Sequence, residues 1–61
     1  MNLTLKDFIG KPVDVWTVRG QSEVKDSGVL HHVDEQWVVI KQGNEHLFFA
    51  VARIRLLKPQ L

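Results

Sequence analysis

Sixty-one residues with eight basic and seven acidic side chains, a formal net charge of +1 and no cysteine make one small domain. A chain this short buries only about 60% of its unfolded surface, so it calls for support from disulfides, metal or self-association. Absent cysteine excludes disulfides and cysteine-based zinc, and the balanced charge argues against a protein that lives by coating phosphate backbones. His31, His32 and His46 remain as possible metal ligands, but a lone histidine–metal site rarely staples a domain, so self-association is the expected support.

No apolar run reaches the ~18 residues of a membrane span, and Met1-Asn2-Leu3-Thr4 does not have the form of a signal peptide. A soluble, cytoplasmic protein is the expectation. Residues 1–61 contain no repeat or linker, so a single domain is expected.

Thr4, with Asp7 three residues later, predicts a helix start with an acid at the N-terminal turn. Leu5, Phe8 and Ile9 supply its apolar stripe, and Gly10 stops it after one to two turns. Pro12 then begins an extended segment. Val13-Asp14-Val15-Trp16-Thr17-Val18 is rich in branched and aromatic residues, and Arg19-Gly20-Gln21-Ser22 is a turn. A second run from Glu23 to Val33 is interrupted by a bend at Asp26-Ser27-Gly28. Asp34-Glu35-Gln36 turns the chain into Trp37 to Gln42, and Gly43-Asn44 turns it into Glu45 to Phe49. Ala50 to Arg53 forms a short crossover, and Ile54-Arg55-Leu56-Leu57 is the last strand, closed by Pro59. Five short, closely spaced strands predict an all-β fold, a small SH3-like or Sm-like barrel with a short N-terminal helix. Trp37 to Ile40 and Leu47 to Val51 are apolar on both strand faces, which calls for a cover from the helix or another subunit.

The stretch Gly28-Val29-Leu30-His31-His32-Val33-Asp34, running into Trp37-Val38-Val39-Ile40-Lys41, resembles the first motif of the Sm-like proteins, the group that includes bacterial Hfq. The skeleton Gly-x-Leu-x-x-Val-Asp makes physical sense. Gly28 lets a long strand bend, Leu30 and Val33 face a core, and Asp34 closes a turn with its own side chain. Pro12-Val13-x-Val15-Trp16-x-Val18-x-Gly20 is similar to the Hfq opening strand, and the remaining elements follow in the family's order. One departure is the run from Gly20 to Gly28, longer than the family's hairpin. The resemblance implies a strongly bent barrel that assembles into homo-oligomeric rings by pairing the fourth and fifth strands of neighbours, and it points to RNA as a partner.

The family's functional positions are not kept. Val38 stands where eukaryotic and archaeal members have a base-reading asparagine, and Ala50-Val51 where the family has Arg-Gly or Lys-His. Neither offers a polar side chain, so the usual uridine pocket is expected to be absent. The candidate nucleic-acid residues are Gln36 and Trp37 in the turn, with Trp37 able to stack on a base or to serve as core or interface. Arg53 and Arg55, two apart on an extended segment, are expected on one side, as a phosphate pair, as a solvated face or as ion pairs across a subunit contact. His31 and His32 point to opposite faces of a strand and His46 has no partner at ligand spacing, so no metal is expected. Asp34-Glu35, Ser22 and Ser27 form no catalytic arrangement, and no Gly-rich loop precedes a helix. Neither an enzyme nor a cofactor is expected. An Sm-like, nucleic-acid-associated ring is the first reading, and a structural or protein-interaction barrel without RNA binding is the alternative.

Overall fold

The computed structural model describes residues 4–60. The Asp7 carboxylate accepts a hydrogen bond from the Thr4 N–H at 2.9 Å, and the Asp7 N–H donates to the Thr4 carbonyl at 3.0 Å. These bonds open a 3-10 turn over Leu5–Phe8. In that tighter helix residues three apart lie above one another, so Leu5 and Phe8 both pack against the core. Ile9, expected in the same stripe, falls outside it and is exposed. Gly10 takes a positive φ of +92°, which reverses the chain. Its N–H donates to the Leu30 carbonyl at 2.8 Å, and the Leu30 N–H donates to the Lys11 carbonyl at 2.9 Å, seating the turn on the sheet.

Five strands follow: β1 (Pro12–Arg19), β2 (Ser22–Val33), β3 (Trp37–Gln42), β4 (Glu45–Ala50) and β5 (Ile54–Pro59), with a 3-10 turn at Val51–Arg53 before the last. They form one antiparallel sheet in the order β4-β3-β2-β1-β5. Two-residue loops, Gly20-Gln21 and Gly43-Asn44, join β1 to β2 and β3 to β4. Each has glycine first, at φ +61°, the position a type II′ hairpin reserves for it. No ladder joins the edge strands β4 and β5, so the sheet is rolled but open and does not close into the expected barrel.

The second strand has no interruption. It runs straight through Asp26, Ser27 and Gly28, paired with Val15, Asp14 and Val13 of β1. The run from Gly20 to Gly28 is therefore regular hairpin. The irregularity lies further on, where the β2–β3 register shifts between Leu30 and His32. Gly28 has a different task from the one its place in the motif suggests. A Cβ there would sit 2.8 Å from the Lys41 carbonyl oxygen and 3.3 Å from Ile40 Cδ1. The residue is glycine because the backbone of β3 comes too close for anything else.

Val13, Val15, Leu30, Val38, Ile40 and Phe49 fill the inner face of the roll, with Leu47, Ile54 and Leu57 at its margin. On the outer face of β1, Asp14 is only 8% exposed. Its Oδ1 accepts hydrogen bonds from Ser27 Oγ at 2.5 Å and Gln60 Nε2 at 2.6 Å, tying β1, β2 and the C-terminal end together. The Ser27 bond does most to hold the Asp14 carboxyl below its ordinary value; burial opposes this, and Gln60, Lys25 and Lys58 reinforce it.

Replacing Gly28 by alanine forces β2 and β3 apart and is expected to cost about 1–3 kcal/mol, read from urea unfolding. An unchanged midpoint would show that the two strands tolerate the extra carbon. Because the folded-state pKa of Asp14 lies below the ordinary 3.8, its contribution to stability is present above that value. It is lost as pH falls through the lower, folded value. Asp14→Asn should therefore flatten the acid limb of a melting-temperature profile; an acid limb identical to that of the native protein would count against this role.

Candidate nucleic-acid interface

Strand alternation separates β3 into two sets. Val38 and Ile40 enter the core, while Trp37, Val39 and Lys41 face outward. Val39 is nonetheless only 3% exposed. Its cross-strand partners are His32 on β2 and Phe48 on β4, and Trp37 stands beside it on its own strand. Trp37 and Phe48 meet edge to face, with ring centroids 6.4 Å apart and planes at 80°. Both remain open to solvent, Trp37 at 43% and Phe48 at 65%. An outward valine is thus roofed by exposed rings, giving an aromatic patch on the convex side of the sheet.

The turn before β3 fixes this patch. Asp34 Oδ1 accepts from the N–H groups of both Gln36 and Trp37 at 2.8 Å, and the Asp34 N–H donates to the Trp37 carbonyl at 2.9 Å. The other carboxylate oxygen lies 3.1 Å from His32 Nε2. The two backbone bonds are the main reason that the Asp34 carboxyl is held below its ordinary range, with His32 adding to them. Asp34 closes the turn with its own side chain, as its place in the motif implies. The Gln36 carbonyl in turn accepts from the Val51 N–H at 2.9 Å, clamping the turn to the 3-10 segment that carries Arg53.

Three of the four candidate residues, Gln36, Trp37 and Arg53, therefore belong to two turns that are bonded to each other. Arg55 does not join them. Arg53 ends a 3-10 turn and Arg55 lies in β5, so the two arginines do not share an extended segment. The Arg55 guanidinium makes a two-pronged ion pair with Glu23 of β2. Arg53 instead lines a cleft of about 170 Å³ between the ends of β1 and β4, together with Thr17, Arg19 and Phe49.

Val38, at the family's asparagine position, is a core residue, and Val51, which follows Ala50, starts the 3-10 turn. Phe48 and Arg19 add to the surface without having been singled out by sequence reasoning. So does the pairing of His31 with His46, whose ring centroids are 5.0 Å apart. The shift in register at Leu30–His32 brings these rings from β2 and β4 together across β3. Among the described residues no three histidine or carboxylate side chains converge as a metal site. None of the helical segments described is long and apolar enough to cross a membrane. No protein-family model matches the chain, and no curated protein and no solved structure does so either.

Asp34→Ala removes the acceptor for two turn amides at once. Hydrogen exchange at Gln36 and Trp37 should speed up in that variant, with the exchange of the β1–β2 hairpin amides unchanged. Equal exchange in both proteins would mean that the turn holds without the carboxylate.

Proposed function

We propose that the chain is the subunit of an Sm-like ring that binds single-stranded RNA on its outward aromatic surface. The observation that carries the reading is the exposed Trp37–Phe48 pair beside the turn bearing Arg53. Bases stack on such rings whatever their sequence, and an arginine nearby meets the phosphate that follows. Support for the Sm-like frame comes from the long β2, the Asp34 turn and a sheet whose two edges are β4 and β5, the strands through which the resemblance implies assembly. Those edges bear Phe48 and Leu56, both exposed, in a chain too small to bury much on its own. Pairing of β4 with β5 of a second copy covers both edges and repeats the aromatic surface around an axis, which raises avidity.

The sites of contact differ from a uridine pocket. Val38 is sequestered and Ala50-Val51 offers no polar side chain, so binding depends on stacking and phosphate contact and discriminates weakly between bases. The protein-interaction reading draws on two observations: Arg55 is paired with Glu23, and the net charge is only +1.

Light scattering at micromolar concentration should return a multiple of the 7.0 kDa chain mass. Fluorescence anisotropy should show oligo-U and oligo-A binding with similar affinity, falling steeply with salt. Trp37→Ala is expected to weaken both by about ten-fold or more, and Arg53→Ala to lower the salt dependence. A stable monomer would refute the ring. Absence of binding to either oligomer at low salt would leave the protein-interaction reading in its place.

A further inference from the structure

The cleft between the ends of β1 and β4 adjoins the aromatic patch, since Phe48 lines it too, but it also carries two arginines. Thr17 and Arg19 lie two apart on β1 and so share its inner face, beyond the last core valine, Val15. Thr17 is 5% exposed, and its Oγ1 is buried with no hydrogen-bond partner. A buried hydroxyl left unpaired is costly, and native folds rarely keep one without a use. Arg19 reaches the cleft from β1 and Arg53 from the 3-10 turn opposite. Among the described residues neither makes an ion pair, in contrast to Arg55. No carboxylate lines the cleft, and Phe49 gives it an apolar wall that strengthens any charge contact made there.

We infer that this cleft is a binding site for a single phosphate group, held by Arg19 and Arg53 with Thr17 Oγ1 as a third donor. The size agrees. At about 30 Å³ per water, a cleft of about 170 Å³ has room for a tetrahedral oxyanion together with bound water. Guanidinium groups present paired N–H donors that match the edges of a tetrahedral oxyanion. This inference shares Arg53 with the RNA reading but does not require it, since a free phosphate and the phosphate of a nucleotide present the same group to the cleft.

The test is an amide-resolved NMR titration of the full chain with inorganic phosphate, against chloride at matched ionic strength. Saturable shifts are expected at Thr17, Arg19, Ala50 and Arg53. Arg19→Gln and Arg53→Gln should each weaken binding about ten-fold, and Arg55→Gln should leave it unchanged. Thr17→Val keeps the shape and removes the orphan hydroxyl. It should raise the melting temperature without phosphate and reduce the further rise that phosphate brings to the native protein. Uridine, uridine 5′-monophosphate and acetate separate the sources. Equal binding of phosphate and the monophosphate assigns a free phosphate; tighter binding of the monophosphate assigns a nucleotide, and both outcomes keep the site. Shifts that do not saturate, or binding that survives the double Arg19→Gln/Arg53→Gln change, would overturn it. So would uridine or acetate binding as well as phosphate. Phosphate binding in a protein that ignores oligo-U and oligo-A would retain this site and remove the RNA function.

Discussion

The approach of the β2 backbone to the β3 backbone at Gly28 governs the rest of this structure. A twelve-residue strand supplies partners to β1 along its first two-thirds and to β3 along its last third. The two pairings overlap at Val29, and the β3 chain lies close against β2 beside it, at Gly28. With only a hydrogen at Gly28, the Lys41 carbonyl can sit where a side chain would have been. The roll of the sheet follows, and with it the inner face that takes Leu30 and Ile40. The N-terminal turn docks through Leu30, two residues beyond.

That roll divides the polar chemistry between two surfaces. On the outer side, carboxylates are committed to structure: Asp14 to Ser27 and Gln60, Asp34 to two turn amides, Glu23 to Arg55. Each is a local use of charge, made beside the exposed Trp37 and Phe48 rings and the outward Lys41. In the cleft between β1 and β4, Arg19 and Arg53 make no ion pair among the described residues. A nearly neutral composition thus conceals an uneven distribution, and net charge is a poor guide to what the surface can bind.

Local features were legible in the sequence. Both glycine hairpins, the Asp34 turn and the alternating core residues of β1 follow from turn chemistry and period alone. Phe48 could have been found the same way: a tight Gly43-Asn44 loop sets Val39 opposite Phe48, and so places Phe48 diagonally from Trp37. The misses share one cause. Spacing on an extended strand predicts sides only while the strand stays regular, and one register shift or one 3-10 turn changes the answer. The shift at Leu30–His32 joined His31 to His46, and the turn at Val51–Arg53 parted Arg53 from Arg55. The interruption expected at Asp26–Gly28 had a related origin, because glycine signals both a bend and a close approach, and only the neighbouring strand tells them apart. Closure of the barrel depends on the sum of twist over five strands, which no local pattern contains.

The bond between Gln60 and Asp14 joins residues 46 positions apart. The β1–β2, β2–β3 and β3–β4 pairings are all between neighbours in the chain, whereas β1–β5 spans nearly its whole length. Loop-closure entropy makes such a contact slower to form than the hairpin pairings. During synthesis the last strand to leave the ribosome is also the one that covers β1. Until β5 arrives, β1 offers a neighbouring nascent chain the same hydrogen-bonding edge that β5 takes in the folded sheet. The order of the strands in the sheet thereby sets a kinetic hazard that their final arrangement conceals.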